Sequence, residues 1–119
     1  MNVEQLRAFC LSLGRDVEEK MPFQAFKAAN GVLVFYVCGH MFCYFDLDHF
    51  NLVTVKCKPE HINALKEQND FITDPYNMSP RHWIGIEVDR APDRLIQHLV
   101  ADSYAIVKQQ YTPKRNHHT

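Results

Sequence analysis

Gly31-Val32-Leu33-Val34-Phe35-Tyr36-Val37-Cys38-Gly39-His40-Met41-Phe42-Cys43-Tyr44-Phe45-Asp46-Leu47-Asp48 is the stretch that decides the fold. Two runs of β-branched, aromatic and other apolar residues flank Gly39-His40. Such runs suit strands, and a two-residue connection joins antiparallel neighbours. Glycine in the first turn position suits a type II′ turn. In that register Leu33, Phe35, Val37, Phe42 and Tyr44 share one face. Val34, Tyr36, Cys38, Met41, Cys43 and Phe45 share the other. Both faces are apolar, so one is expected to meet helices and the other needs a cover or exposes a patch.

Outward from the hairpin, the periodicities fall into a simple order. Val3, Leu6, Phe9, Cys10 and Leu13 recur at helical spacing. Asn2 can cap this helix, and Gly14 can end it in a left-handed turn, giving a helix over about 2–13. Arg15 to Pro22 reads as a charged connector. Leu52 to Cys57 alternates as a third strand. Pro59 opens a second helix with Ile62 and Leu65 as its apolar stripe. Phe71-Ile72-Thr73 is a short strand, and Asp74 to Asn77 is a turn cluster. His82 to Val88 is a strand with Ile84, Ile86 and Val88 on one face. Pro92-Asp93 starts a last helix whose stripe is Leu95, Ile96, Leu99, Val100, Tyr104, Val107 and Tyr111, and Pro113 stops it. Residues 1–112 read as one domain and 113–119 as a polar tail. The order α-β-β-β-α-β-β-α predicts an α+β two-layer sandwich, with about five antiparallel strands and three helices on one sheet face.

At 119 residues, 46% hydrophobic and 23% charged, the chain can bury a core without a disulfide or a metal. The N-terminus lacks the basic and apolar regions of a signal peptide, and no apolar run could span a membrane. A cytoplasmic location is the expectation. Thirteen basic and fourteen acidic side chains leave a net charge of −1. Nucleic-acid binding would therefore need a local patch rather than a global basic excess. The four cysteines, Cys10, Cys38, Cys43 and Cys57, form no C-x-x-C pair. They read as free, mostly buried thiols in a reducing compartment, Cys10 and Cys57 buried among them.

Several pieces in this order resemble the MmcQ/YjbR family over about residues 2–111. They are Leu6 to Leu13, Pro22-Phe23, Leu33 to Val37, Met41-Phe42, Asp46-Leu47-Asp48, Val55-Lys56-Cys57, Arg81-His82-Trp83 and Asp102-Ser103-Tyr104. The resemblance implies a compact α+β domain related to secretion-chaperone and frataxin (CyaY)-like folds. It implies DNA binding through wing-like hairpins, with no enzymatic activity and no cofactor.

For that function the residues to back are Lys56, Lys58, Arg81, His82 and Trp83. Cations would neutralise phosphates, and an indole could stack on a base. Lys27, Lys114 and Arg115 could extend the patch. A competing reading is a protein-interaction module, homodimeric or partner-bound, using the outer hairpin face of Val34, Tyr36, Cys38, Cys43 and Phe45. Other chemistries find less support. Cys38, His40 and Cys43 do not converge on a metal from a tight hairpin. Cys57 with His61 lacks the reactivity of a nucleophile if Cys57 points into the core. His117-His118 is only a pair of adjacent histidines. No phosphate-binding loop or hydrolase motif occurs.

Overall fold

The computed structural model describes residues 1–113, so the tail with Lys114, Arg115 and His117-His118 lies outside the described residues. The elements are α1 (Val3–Ser12), β1 (Glu18–Lys20), a 3-10 turn (Lys27–Ala29), β2 (Val32–Val37), β3 (His40–Asp46), β4 (Leu52–Lys56), α2 (Pro59–Gln68), β5 (Ile72–Thr73), β6 (Trp83–Glu87) and α3 (Asp93–Tyr111). Asn2 caps α1 as expected: its side chain accepts the Gln5 N–H at 2.8 Å, and the Gln5 side chain accepts the Asn2 N–H at 2.9 Å. This reciprocal box satisfies two donors that a helix start leaves unpaired. Gly14 is not left-handed. Its role is space: an added Cβ would collide with the Tyr104 hydroxyl and the Asp16 carboxylate, which hydrogen-bond each other at 2.6 Å.

All six strands form one antiparallel sheet in the order β1-β2-β3-β4-β6-β5. The sixth strand is β1, in the segment read as a charged connector. Glu18, Glu19 and Lys20 pair with Tyr36, Phe35 and Val34. The Arg7 guanidinium on α1 pairs with Glu19 and ties the edge down. A short charged strand is a common way to finish a sheet edge without inviting further pairing.

The hairpin turn is one residue earlier than expected. Cys38 and Gly39 both carry positive φ, at 53° and 76°, as a type I′ turn requires. Val37 then pairs with His40 and Tyr36 with Met41, but Phe35 pairs with Cys43. Phe42 is left over as a bulge, and a bulge reverses the facing of every residue beyond it. Cys43 and Phe45 therefore join Leu33, Phe35 and Val37 in the core, and Tyr44 turns to the other face.

One hydrophobic core holds that face together with all three helices. Leu6 and Cys10 come from α1, Ile62 from α2, and Ile96, Leu99, Val100 and Val107 from α3. They pack with Phe35, Phe45, Val53, Val55, Ile84 and Ile86 of the sheet. Leu95 and Tyr104 are half-buried, and Tyr111 is exposed at the end of the stripe. Ser103 replaces an apolar residue in the stripe and is fully buried. Its hydroxyl donates to the Phe42 carbonyl at 2.5 Å and accepts the Lys56 N–H at 2.8 Å. These are the backbone groups of β3 and β4 beyond their last paired residues, Cys43 and Val55. A serine on α3 thus takes up the two backbone groups left where the β3–β4 pairing ends.

The second face is covered by chain segments rather than helices. Residues 74–78 cross it at Gly85, where an added Cβ would lie 2.8 Å from the Asp74 carbonyl. The Tyr44 hydroxyl donates to the Tyr76 carbonyl and holds the same crossing. Residues 23–29 form the opposite wall. Val34 and Thr54 are buried beneath this cover.

Candidate nucleic-acid interface

The end of β4 and the turn before β6 bring three of the expected residues, Lys56, Lys58 and His82, to one cleft. The Cys57 N–H donates to the His82 carbonyl at 2.9 Å, so the 79–82 turn closes against the start of α2. The backbone N–H groups of His82 and Trp83 donate to the Ser79 carbonyl at 3.2 and 3.0 Å and shape that turn. Lys56, Lys58 and His82 then line one open cleft of about 290 Å³, together with Gln110 of α3. Arg81 is adjacent in the chain and exposed. Among the described residues, no ion pair engages Lys58, Arg81 or His82.

Lys56 is held more firmly than the others. Its Nζ donates to Gln110 Oε1 at 2.8 Å and lies 5.9 Å from the Trp83 ring centroid and 5.7 Å from that of Tyr111. The Tyr111 ring stacks on His40 with centroids 3.4 Å apart. The arrangement fixes the ammonium by cation–π attraction and one hydrogen bond. Trp83 is only 8% exposed, so its ring supports Lys56 rather than offering a surface on which a base could stack. Gln110 carried no sequence signal. Tyr111 was legible only as the last member of the α3 stripe, and it faces the cleft region because the helix outruns the sheet core.

Two carboxylates temper the corner. Asp102 and Glu60 lie close enough to Cys57 to raise its thiol further, after burial, which is the main cause; together they push it up to about 11. Such a thiol stays protonated near neutrality and is a poor nucleophile. His61, His98 and Asp102 share a small cleft with it. No group of three or more His, Cys, Asp or Glu side chains among the described residues could hold a metal ion.

The residues expected to form an interaction face are dispersed. Val34 is buried, and Cys43 and Phe45 are core residues at 0% and 2% exposure, because of the bulge. Tyr36 is half-exposed with Lys20 Nζ 5.3 Å from its ring centroid. Cys38 is exposed in the turn, 3.6 Å from Thr112 Oγ1. Burial raises the Cys43 thiol strongly, and its sulfur lies 4.0 Å from that of Cys10. All four cysteines are free, with Cys10, Cys43 and Cys57 buried. Among the described residues, no helix is long and apolar enough to cross a membrane.

The architecture defines an α+β protein: an open antiparallel sheet with its helices gathered in one core. The chain belongs to the YjbR family, whose model matches residues 12–106. It is similar to the crystal structure of a Deinococcus radiodurans protein with the DUF419 domain, at 25% identity and TM-score 0.85. That match covers 95% of this chain and 83% of the other. A Pseudomonas syringae protein of known structure shares the fold at 19% identity and TM-score 0.73, over 90% of this chain and 99% of the other. No curated protein matches the chain significantly.

Proposed function

We propose that this YjbR-family chain is a non-enzymatic nucleic-acid-binding domain, with modest affinity and weak sequence preference. The observation that carries the reading is the cleft lined by Lys56, Lys58 and His82, with Arg81 beside it in the chain. Lysines and arginines free of carboxylate partners can neutralise phosphates and release counterions. Nothing in this corner reads base edges in a defined geometry, which accords with weak preference. The net charge of −1 and the nearby Asp102 and Glu60 keep the affinity modest. The interaction-module reading retains only Tyr36 and Cys38 as accessible members of its face.

The test is anisotropy of labelled duplex and single-stranded DNA titrated with protein across a salt series. Affinity is expected to fall steeply with salt. Lys58→Glu/Arg81→Glu is expected to bind more weakly, with a log–log salt slope shallower by roughly 2. Both residues are exposed, so the variant should fold normally. Absence of binding to either DNA at about 50 mM salt would end the nucleic-acid reading.

A further inference from the structure

The face of the sheet that the helices leave uncovered carries a trough with two chemically distinct ends. Two open pockets, of about 390 and 480 Å³, share Ala29, Val32, Tyr44 and Tyr76 and so run into one another. At one end the walls are Phe23, Phe26, Met41 and Met78. At the other they are Asp46, Glu87, His49 and Asn51. Each volume falls within the usual range for small-molecule sites, which are mostly apolar with a few placed polar groups.

We propose that this trough binds a small organic amine with an aromatic or branched apolar body. The charge of the polar end selects the head group. Asp46 and Glu87 contribute two carboxylates, and no lysine or arginine lines either pocket. The groups that face those carboxylates are few. Asp46 Oδ1 accepts the backbone N–H groups of Asp48 and His49 at 2.8 and 3.3 Å. Asp46 Oδ2 lies 3.9 Å from His49 Nδ1, and Glu87 Oε2 lies 3.3 Å from Arg90 Nη1 outside the lining. Each carboxylate keeps acceptor capacity for an ammonium. Tyr44 and Tyr76, shared by both pockets, give the cation aromatic faces between the carboxylates and the apolar end.

The apolar end selects the body. Phe26 and Tyr76 are 63% and 67% exposed, a state that an apolar ligand would relieve. The walls are already built, since Gly85 lets the 74–78 segment lie against the sheet and Tyr44 anchors it at Tyr76. A nucleic acid is disfavoured here because phosphates would meet Asp46 and Glu87. A second copy is disfavoured by shape, since an interface that repeats the same patch on both partners must be self-complementary. Two facing troughs would enclose a void.

Three probes with one body and different heads test the proposal: tryptamine, neutral N-acetyltryptamine and anionic indole-3-propionate. Each is titrated into the full ¹⁵N-labelled chain, with amide shifts as the readout. Tryptamine is expected to shift Val32, Tyr44, Tyr76 and Glu87, and to bind roughly tenfold more tightly than indole-3-propionate. Glu87→Gln or Asp46→Asn should shrink that preference while leaving N-acetyltryptamine unchanged. Phe26→Ala should weaken all three probes. The proposal is overturned if no probe shifts the trough at millimolar concentration, or if indole-3-propionate binds as well as tryptamine. It is equally overturned if the shifts appear only around Lys58 and His82, or if the chain is a dimer whose trough amides no probe reaches.

Discussion

The two faces of this sheet differ less in composition than in what covers them. The face toward the helices presents Leu33, Phe35, Phe45, Val53, Val55, Ile84 and Ile86, each 6% exposed or less. The opposite face also carries apolar and aromatic residues: Val32, Val34, Tyr44 and Leu52. It is covered by two chain segments that meet only in part, and a trough runs between them. Helices project side chains in a regular stripe and can fill a core to high density. The 23–29 and 74–78 segments bury Val34 and Thr54 but leave open space above Tyr44 and Val32. The packed face accounts for stability, and the incompletely covered one leaves room for a ligand.

The largest expected effect breaks the packed face. Phe35 is fully buried, with ring centroids 6.4 Å from Phe42 and 5.8 Å from Phe45. Phe35→Ala should destabilise the fold by about 3–5 kcal/mol, from lost burial and the cavity left behind. Denaturant unfolding checks this. A loss below about 1 kcal/mol, within the range of ordinary surface and minor changes, would mean that the sheet face is less closely packed than its burial indicates.

The packed face was the legible one. The β-branched and aromatic run of residues 32–37, the period-two patterns of 52–57 and 82–88, and the 3.6-residue stripes of the flanking helices predict its strands, its helices and most of its core. The failures have local causes. The turn falls at Cys38-Gly39 because Cys38 accepts a left-handed backbone, which nothing about a cysteine announces. That slip alone moves the pairing by two residues and leaves the facing intact. The bulge at Phe42 is what turns Cys43 and Phe45 inward and Tyr44 outward. A bulge is a property of strand pairing and leaves no trace in the alternation of one strand. Strand β1 was hidden because Glu18, Glu19 and Lys20 owe their conformation to pairing with β2 and to Arg7, not to any apolar pattern. Lys56, Lys58, Arg81 and His82 could be picked out as types, but the gathering of Lys56, Lys58 and His82 around one cleft depends on the Cys57–His82 backbone bond. The trough was illegible altogether, since its walls are loops whose course is set by Gly85 and Tyr44.

A smaller effect is expected where the helical layer repairs the sheet. Ser103→Ala removes the hydroxyl that serves both the Phe42 carbonyl and the Lys56 N–H. Leaving buried backbone groups unpaired costs about 1–3 kcal/mol. Hydrogen exchange adds a local readout: the Lys56 amide should lose protection well beyond what global destabilisation explains. Unchanged protection would show that β3 and β4 pair further without the serine, and that the end of their ladder needs no support from α3.

The smallest effect sharpens the comparison most, because it applies the same chemical change to the other face. Phe26→Ala deletes the same ring as Phe35→Ala. However, Phe26 is 63% exposed on the rim of the trough, so the lost side chain gives up little burial and leaves no enclosed cavity. Its effect on stability should stay within about 0.5 kcal/mol, as for most surface substitutions. An equal and large loss at both positions would show that the 23–29 segment is part of the cooperative core and that the two faces do not differ as argued. A negligible loss of stability, accompanied by weaker amine binding, would separate the two faces cleanly. An exposed phenylalanine that the fold does not need is then retained at the rim for what the trough holds.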